Sequence, residues 1–498
     1  MIRRLVIPFA FLLGCILSIS SLYAQPSRSV LISTEAAQQN GLERAWFTQI
    51  RVNPARGMIT DVRLHISGVR SKTVYEVVTD GGRKDFISER HLNTFGEPYG
   101  VEGAAKAAAE RMRVLRIQGI EATMEEQVIP EITLYATTNC GMVHAVDGET
   151  GRTLWTTAVG RQEWPTTPAA VSEDYVAVSN GTTLFVLDAR NGQITWERPI
   201  GGAPSTGAAI VDTNVFVPLL NGQLHAFSVA EDARWWAKAY RSHGTVRFQP
   251  TVAGNYVVWP NDFGEISAIQ SEKQGVKYRI SLSEPIASPV MYSAPNQLLC
   301  VTRSGYLYSL NANDGSVQWR FSTGEETGEA AAIVGGTVYV LSRWAGIQAI
   351  SSTTGQRKWA ARGARQFVAA TGKNVYTTNR SGQMIILDAQ TGNVRGHLPI
   401  EITDQLFVNN QTDRIYIGGR SGVLQCLREL GTDWPTIHIA GEEVVVPPKA
   451  APKKPASGGE GGPIDPFAGE DEAKKPDTNP FGTPAKTAPA KSSDNPFD

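Results

Sequence analysis

A turn glycine that recurs eight times constrains the fold of this chain more than any other feature. The eight positions are Gly141, Gly181, Gly222, Gly264, Gly305, Gly346, Gly382 and Gly422. Neighbouring copies lie between 36 residues (Gly346 to Gly382) and 42 residues (Gly222 to Gly264) apart, and a period of about 40 is that of one four-stranded propeller blade. Apolar and polar residues alternate within each copy, as in half-buried strands. The sequence therefore predicts an all-β fold, an eight-bladed β-propeller.

The second copy shows how one blade is built. Strand A lies near 168–171, strand B covers Tyr175–Ser179, strand C covers Thr182–Asp188 and strand D covers Ile194–Pro199. Gly181 forms the B–C hairpin and Gly192 the C–D turn, where glycine can adopt a positive φ at little cost. This order places the B–C hairpins and D–A loops on one face of the ring and the C–D turns on the other.

The two ends of the repeat array predict how the ring closes. The eighth copy stops after its third strand, near Val423–Glu429, while Arg44-Ala45-Trp46-Phe47 resembles the strand D segment Arg357-Lys358-Trp359-Ala360. We expect the N-terminal segment to supply the missing strand, so that the propeller covers 41–431 without an exposed sheet edge.

Blade one carries an insertion at 65–131, between strand A at Ile59–Leu64 and a strand B that begins near Leu134. The insertion contains a strand-like segment, Thr73–Thr79, and a segment typical of a helix, Gly103–Gly119. We predict a small α+β excursion on the face of the ring that the A–B turns occupy.

Both ends of the chain predict features outside the propeller. Residues 1–24 combine a short basic start with an apolar run, which indicates export, either as a cleaved signal peptide, as a membrane anchor or as a lipid-modified segment. Residues 440–498 are rich in Pro, Ala and Lys, which is typical of a disordered tail. A short motif, Asp/Asn-Pro-Phe, recurs there at Phe467, Phe481 and Phe497. It is either a chance repetition within a low-complexity segment or a motif that binds a partner.

A recurring sequence motif connects the repeat to a known family. Its fullest copy, Ala145 to Trp155, reads A-x-D-x-x-T-G-x-x-x-W, and Leu187 to Trp196 is a second copy. This word resembles the tryptophan-docking motif of pyrroloquinoline-quinone (PQQ) dehydrogenases and of PQQ-like propellers without cofactor, among them a lipoprotein that assists outer-membrane protein assembly. The resemblance implies a role in joining neighbouring blades for Trp46, Trp155, Trp196, Trp236, Trp319 and Trp359.

The resemblance does not extend to the catalytic residues of that family. Its dehydrogenases carry adjacent cysteines beside the quinone, and this chain has four cysteines with no Cys-Cys pair. The seven histidines are scattered, and no phosphate-binding loop, zinc-protease or serine-hydrolase motif occurs. We predict no catalytic, metal or cofactor-binding residues and no cofactor. A formal net charge of −1 argues against nucleic acid as a partner.

The B–C face carries the residues that we predict to bind a partner. Four successive hairpins contribute Arg303, Arg343 with Trp344, Arg380 and Arg420, and one D–A loop adds Arg161 and Trp164. Arginines beside exposed tryptophans suit an acidic or phosphorylated partner, although polar hairpin tips are also common on surfaces with no partner. We predict a monomeric, exported scaffold that binds proteins in the periplasm or cell envelope and touches membrane only through its N-terminus. A PQQ-dependent or other redox enzyme and an accessory factor of outer-membrane protein assembly remain alternatives.

Overall fold

The computed structural model describes residues 31–53, 56–230, 238–271, 273, 275–398 and 408–438. The predicted signal segment at 1–24, the tail at 440–498 with its three phenylalanines, and Trp236 lie outside the described residues.

Within the described residues, eight antiparallel sheets follow one another, and their strands are numbered here in chain order. Blade one holds β2 (Ile59–Thr79), β4 (Ala122–Thr138), β5 (Met142–Asp147) and β6 (Thr153–Ala158), with β3 (Lys84–Ser88) added beside β2. Blade two holds β7 (Ala170–Val171), β8 (Tyr175–Asn180), β9 (Thr183–Asp188) and β10 (Ile194–Pro199). Blade three holds β11 (Ala209–Val211), β12 (Asn214–Pro218), β13 (Gln223–Ser228) and β14 (Lys238–Arg241). Blade four holds β15 (Thr251–Ala253), β16 (Tyr256–Pro260), β17 (Glu265–Gln270) and β18 (Val276–Ser281).

The remaining blades repeat this pattern. Blade five holds β19 (Met291–Ser293), β20 (Gln297–Val301), β21 (Tyr306–Asn311) and β22 (Val317–Ser322). Blade six holds β23 (Ala332–Val334), β24 (Thr337–Ser342), β25 (Gly346–Ser351) and β26 (Arg357–Ala361). Blade seven holds β27 (Gln366–Ala370), β28 (Asn374–Thr378), β29 (Met384–Asp388) and β30 (Val394–Leu398). The fold is thus the predicted eight-bladed β-propeller.

Blade eight is closed by the N-terminal strand, as predicted. Its described strands are β31 (Ile415–Gly418), β32 (Val423–Glu429) and β1 (Leu42–Gln49), and β1 pairs with β32 from Leu42 opposite Glu429 to Gln49 opposite Val423. The first and last parts of the propeller therefore share one sheet, which removes the open edge between them.

Tryptophans on outer strands contact the next blade in a common geometry. Four indole Nε1 groups each donate to a carbonyl oxygen in the following C–D turn at 2.9 Å: Trp46 to Gly148, Trp155 to Ala189, Trp319 to Ser352 and Trp359 to Ala389. The ring also lies on the turn glycine; a Cβ on Gly192, whose φ is +72°, would come within 2.4 Å of the Trp155 ring. Trp196 packs edge-on against Phe227, with ring centroids 6.0 Å apart.

A short helix takes the place of a tryptophan between blades seven and eight. Strand β30 has Gly396 at the tryptophan position, and a Cβ there would lie 2.7 Å from Oδ1 of Asn40. Asn40 caps helix α1 (Thr34–Gln39), whose neighbours Ile32 and Leu42 are buried among residues of both blades. The N-terminal segment therefore fills this space as well as closing the ring.

The insertion in blade one is built differently from the prediction in one respect. Strands β2 and β4 continue from the blade into the insertion as single long strands, so strand B begins at Ala122 instead of near Leu134. The segment Thr73–Thr79 is the far end of β2 and not a separate strand. Pairing between β2 and β4 continues past an irregularity between Ile66 and Ser71 and then runs without a further shift to Thr79. Helix α2 (Gly100–Ile117) packs on this sheet through Ala104, Ala108 and Leu115.

The hydrophobic core is divided among the spaces between neighbouring blades, as the clusters of buried residues show. Cys140, Cys300 and Cys426 are buried and form no disulfide. Among the described residues, no helix is long and apolar enough to cross a bilayer.

Candidate functional site

The B–C hairpins and the D–A loops pack against each other on one face of the ring. Gly346 shows the closeness of this packing, because a Cβ added there would lie 2.2 Å from the oxygen of Ala361, the last residue before the next D–A loop. Its φ of +78° is also in the left-handed region that favours glycine. Residues at the hairpin tips are therefore displayed on a fixed backbone. We call this surface the B–C face.

Trp344 stands at the centre of a cluster on the B–C face. It is 62% exposed, and the Cζ atoms of Arg380 and Arg343 lie 4.4 and 5.5 Å from its ring centroid. Nη2 of Arg380 also donates to the carbonyl oxygen of Arg343 at 3.0 Å, which links the hairpins of blades six and seven. We call Arg343, Trp344 and Arg380 the Trp344 cluster.

Glu325 holds the backbone of this cluster in place. Its Oε2 accepts hydrogen bonds from the backbone N–H groups of Trp344 at 2.8 Å and of Ala345 at 3.0 Å. The hairpin tip is thereby anchored to the D–A loop that precedes its blade. An exposed aromatic ring on an ordered backbone loses little conformational entropy when a partner covers it.

Arg303 and Arg420 lie on the same face but outside the Trp344 cluster. Their backbones are anchored, since Arg303 N donates to the oxygen of Pro285 at 2.9 Å and the oxygen of Arg420 accepts from Ile59 N at 3.1 Å. Both residues are exposed, and within the described parts of the chain neither guanidinium forms a hydrogen bond or an ion pair with another side chain. They widen the positive surface without contacting Trp344.

Arg161 and Trp164 form a second cation–aromatic pair, between blades one and two. The Cζ of Arg161 lies 4.8 Å from the Trp164 ring centroid. Asn180 orders this loop: its Oδ1 accepts from Arg161 N at 2.8 Å, and its Nδ2 donates to the oxygens of Arg161 and Trp164, each at 3.1 Å. This pair lies between blades one and two and the Trp344 cluster on blades six and seven, so the structure does not bring the two together.

The B–C face also contains residues that the sequence analysis did not select. Arg51 and Arg56 are exposed in the loop between β1 and β2, beside the hairpin of Arg420. On blades three and four the hairpins instead expose Leu220 and Phe263. The face therefore has a basic side over blades six to eight and a more apolar side over blades three and four. Comparing the residues just before each turn glycine would have revealed this division.

The central channel holds a cavity of about 1200 Å³ lined by the inner strands. Arg63 of β2 reaches across it to the side chain of Gln249. The Nε2 of Gln249 donates to the oxygens of Ala169 at 3.1 Å and Ala208 at 2.7 Å. This brace ties the inner strands of blades one to four together. Burial raises the pKa of the nearby Asp61 carboxyl, although Arg63 opposes that change.

The shifted pKa values of two further side chains, His144 and Glu173, have structural causes. Burial lowers the pKa of His144 to about 4, which keeps the ring neutral within its strand. Glu173 is partly buried, yet the His65 ring 3.6 Å away and hydrogen bonds from Ser67 and Gly68 lower its pKa to about 2. Glu173 thereby fastens the insertion to blade two. Among the described residues, no group of three or more His, Cys, Asp or Glu side chains is placed to hold a metal ion.

Comparison with curated proteins gives relatives of two kinds. A tetrathionate hydrolase of Acidithiobacillus ferrooxidans is 25% identical over 261 residues, which cover 47% of this chain and 52% of the relative. The outer membrane protein assembly factor BamB of Moranella endobia is 21% identical over 265 residues, which cover 47% of this chain and 66% of the relative. The chain thus spans between about half and two thirds of the length of these two relatives.

Among solved structures, BamB from Moraxella catarrhalis is similar with a TM-score of 0.49 and 18% sequence identity, covering 60% of this chain and 92% of that protein. A family model described as outer membrane protein assembly factor BamB, built on the PQQ-like repeat, matches residues 119–294, 220–334 and 264–441. These overlapping matches run over more than half of the chain. This chain therefore belongs to the BamB family of PQQ-like β-propellers.

Proposed function

We propose that this chain is an exported, non-catalytic scaffold of the cell envelope that serves outer-membrane protein assembly as an accessory factor. Family membership and the BamB relatives support the assembly role. The protein-binding part rests on the Trp344 cluster, in which two arginines contact an exposed indole and Glu325 accepts hydrogen bonds from the backbone beside it.

The chemistry of the cluster defines the partner that suits it. Tryptophan and arginine dominate the binding energy of many protein interfaces because they combine a large apolar area with charge-assisted hydrogen bonds. Arg380 and Arg343 can exchange part of their contact with the ring for a carboxylate of the partner. We therefore expect an acidic segment with an apolar residue that covers Trp344. Because the basic side of the B–C face is exposed, association should weaken as salt increases.

Capture of the outer-membrane assembly barrel protein from the same cell tests this proposal. The full chain is compared with a Trp344→Ala, Arg380→Ala double variant, and bound barrel protein is quantified at low and at moderate salt. We expect at least a tenfold loss of capture, since a central hot-spot residue contributes about 2 kcal/mol or more. The melting temperature should stay unchanged because the altered side chains lie at the surface.

Arg190→Ala is the matched control, since Arg190 is an exposed arginine at a C–D turn on the opposite face and pairs with Asp174 at 3.5 Å. It should capture as well as the native chain. Equal capture by the double variant would refute the role of the Trp344 cluster. Absence of the barrel protein from every capture would refute the assembly role.

A ligand titration tests the non-catalytic part separately. PQQ with calcium is added to the exported form, and the melting temperature is followed up to a large ligand excess. We expect no shift. A saturable rise, which mass action requires of a ligand that binds the native state, would instead support an enzyme.

A further inference from the structure

The insertion in blade one has a sheet edge that no described strand covers. Strand β5 pairs with β4 only along Thr133–Thr137. Earlier in β4, the segment Ala122–Ile129 pairs with β2 on one side. On its other side, no described residue hydrogen-bonds to its backbone. We call this segment the β4 edge.

The pairing pattern shows which backbone groups point outward. Asp80 N donates to Glu121 O at 3.1 Å, and in an antiparallel ladder the residues that bond to a given neighbour alternate. Thr123, Glu125 and Gln127 therefore direct their N–H and C=O groups toward β2. Met124, Glu126 and Val128 direct theirs away from it, so the β4 edge presents a row of open donors and acceptors.

This edge lacks most of the features that normally protect sheet edges. Proteins blunt such edges with short strands, internal prolines, lysines, bulges or a covering element. The β4 edge is eight residues long, its register with β2 is regular, and Pro130 lies just beyond its end. Helix α2 covers the neighbouring β2, yet Met124 and Val128 on the same side of the sheet remain 43% and 39% exposed.

The charge of the edge selects among possible occupants. Glu125 and Glu126 are exposed, and no lysine or arginine of the described chain forms an ion pair with either. Burial raises the pKa of Tyr75, and the carboxylates of Glu126 and Glu89 raise it further. A second copy of this chain fits poorly, because antiparallel pairing centred on the outward-directed Glu126 would set it directly opposite Glu126 of the other copy, where like charges repel.

We propose that the β4 edge binds an extended segment of a partner protein by strand addition, and that this segment carries apolar, basic and apolar side chains at alternate positions. The basic side chain lies opposite Glu126, and the apolar ones lie opposite Met124 and Val128. This order reads the same in both directions, so it holds for parallel and for antiparallel addition. The site goes beyond the proposed function, because it lies on the insertion and does not involve the Trp344 cluster.

Two synthetic peptides test the proposal with the full chain. One has the core Thr-Val-Thr-Lys-Thr-Val-Thr, and the other replaces the lysine with glutamate. We expect the lysine peptide to bind about fivefold more tightly, since opposite charges across a strand pair attract and like charges repel. Saturating lysine peptide should slow amide hydrogen exchange at Met124, Glu126 and Val128.

A charge exchange separates strand addition from unspecific attraction. The variant Glu126→Lys should reverse the preference, so that the glutamate peptide binds more tightly than the lysine peptide. Glu102→Lys makes the same charge change at an exposed site on α2 and should leave the preference as it is in the native chain. Because Glu126 is exposed, its replacement should not lower the melting temperature.

Three results would overturn the proposal. The first is equal affinity for both peptides, the second is an unchanged preference in Glu126→Lys, and the third is unaltered exchange at the three outward amides when lysine peptide is in large excess. Loss of the Trp344 cluster should not alter peptide binding, so this test and that of the proposed function can fail independently.

Discussion

Replacing Trp46 with alanine should loosen the closure of the propeller. Trp46 is the outer-strand tryptophan of β1, and it joins blade eight to blade one rather than two blades adjacent in sequence. Its side chain is buried, its Nε1 donates to Gly148 O at 2.9 Å, and its ring lies on Gly151 and 6.1 Å from the ring of Tyr416.

The size of the effect follows from these contacts. Removal of a buried tryptophan in favour of alanine costs about 3–5 kcal/mol, which includes the cavity it leaves. The lost hydrogen bond leaves the buried oxygen of Gly148 with the hydroxyl of Tyr416 as its remaining donor, at 3.2 Å. We therefore expect the free energy of unfolding to fall by about 4 kcal/mol.

Urea unfolding followed by fluorescence and circular dichroism measures this loss, and limited proteolysis shows where it occurs. Cleavage should begin in the loop between β1 and β2 if the N-terminal strand detaches first. The matched control is Trp196→Ala, because Trp196 is only partly buried and contacts Phe227 edge-on, so it should cost less. A loss below about 1 kcal/mol for Trp46→Ala, well under the value for a buried aromatic, would refute the closure argument.

Two further predictions concern the insertion and the channel. The pKa of Glu173 is lowered to about 2 in the folded chain, so its contribution to stability is present above its unfolded pKa of about 4.5 and is lost as pH falls from there toward 2. Melting temperatures of Glu173→Gln should therefore lie below those of the native chain at pH 7 and converge with them only near pH 2; a constant difference would contradict the lowered pKa of Glu173. Gln249→Ala removes both hydrogen bonds to the buried oxygens of Ala169 and Ala208 and should cost about 1–3 kcal/mol. In a double-mutant cycle with Arg63→Ala, also read from urea unfolding, the two effects should be less than additive, and strict additivity would show that the brace across the channel does not couple them.

The sequence predicts the features whose signals occur within a single repeat copy. A blade is specified locally, since the turn glycine, the alternating strands and the docking word all occur within one copy. Ring closure was also predictable, because the segment around Trp46 has the strand D pattern although strands A to C of a blade do not precede it in the sequence. The long β2 and β4 strands were missed because alternation looks the same whether a strand stops at Leu64 or continues to Thr79.

Contacts between distant copies could not be predicted in the same way. The Trp344 cluster joins Arg343 to Arg380 across two hairpins, and only the rotation between blades determines that their side chains meet over one ring. The brace from Arg63 to Gln249 spans 186 residues and crosses the channel. The packing of helix α1 beside Gly396 could not be predicted for a different reason. The absence of a tryptophan at that position does not indicate which segment of the chain fills the space.

The placement of the two proposed surfaces has a consequence for how such a scaffold would work. The Trp344 cluster lies on the B–C face, whereas the β4 edge extends from the A–B connection of blade one, on the face that carries the A–B and C–D turns. The first surface is basic and aromatic and the second is acidic, so each disfavours the partner of the other by charge. Two partners could then be held at once without competing, and each would raise the effective concentration of the other. Measuring peptide affinity at the β4 edge with and without a bound B–C face partner tests this independence, and a change in affinity would show that the two surfaces are coupled through the ring.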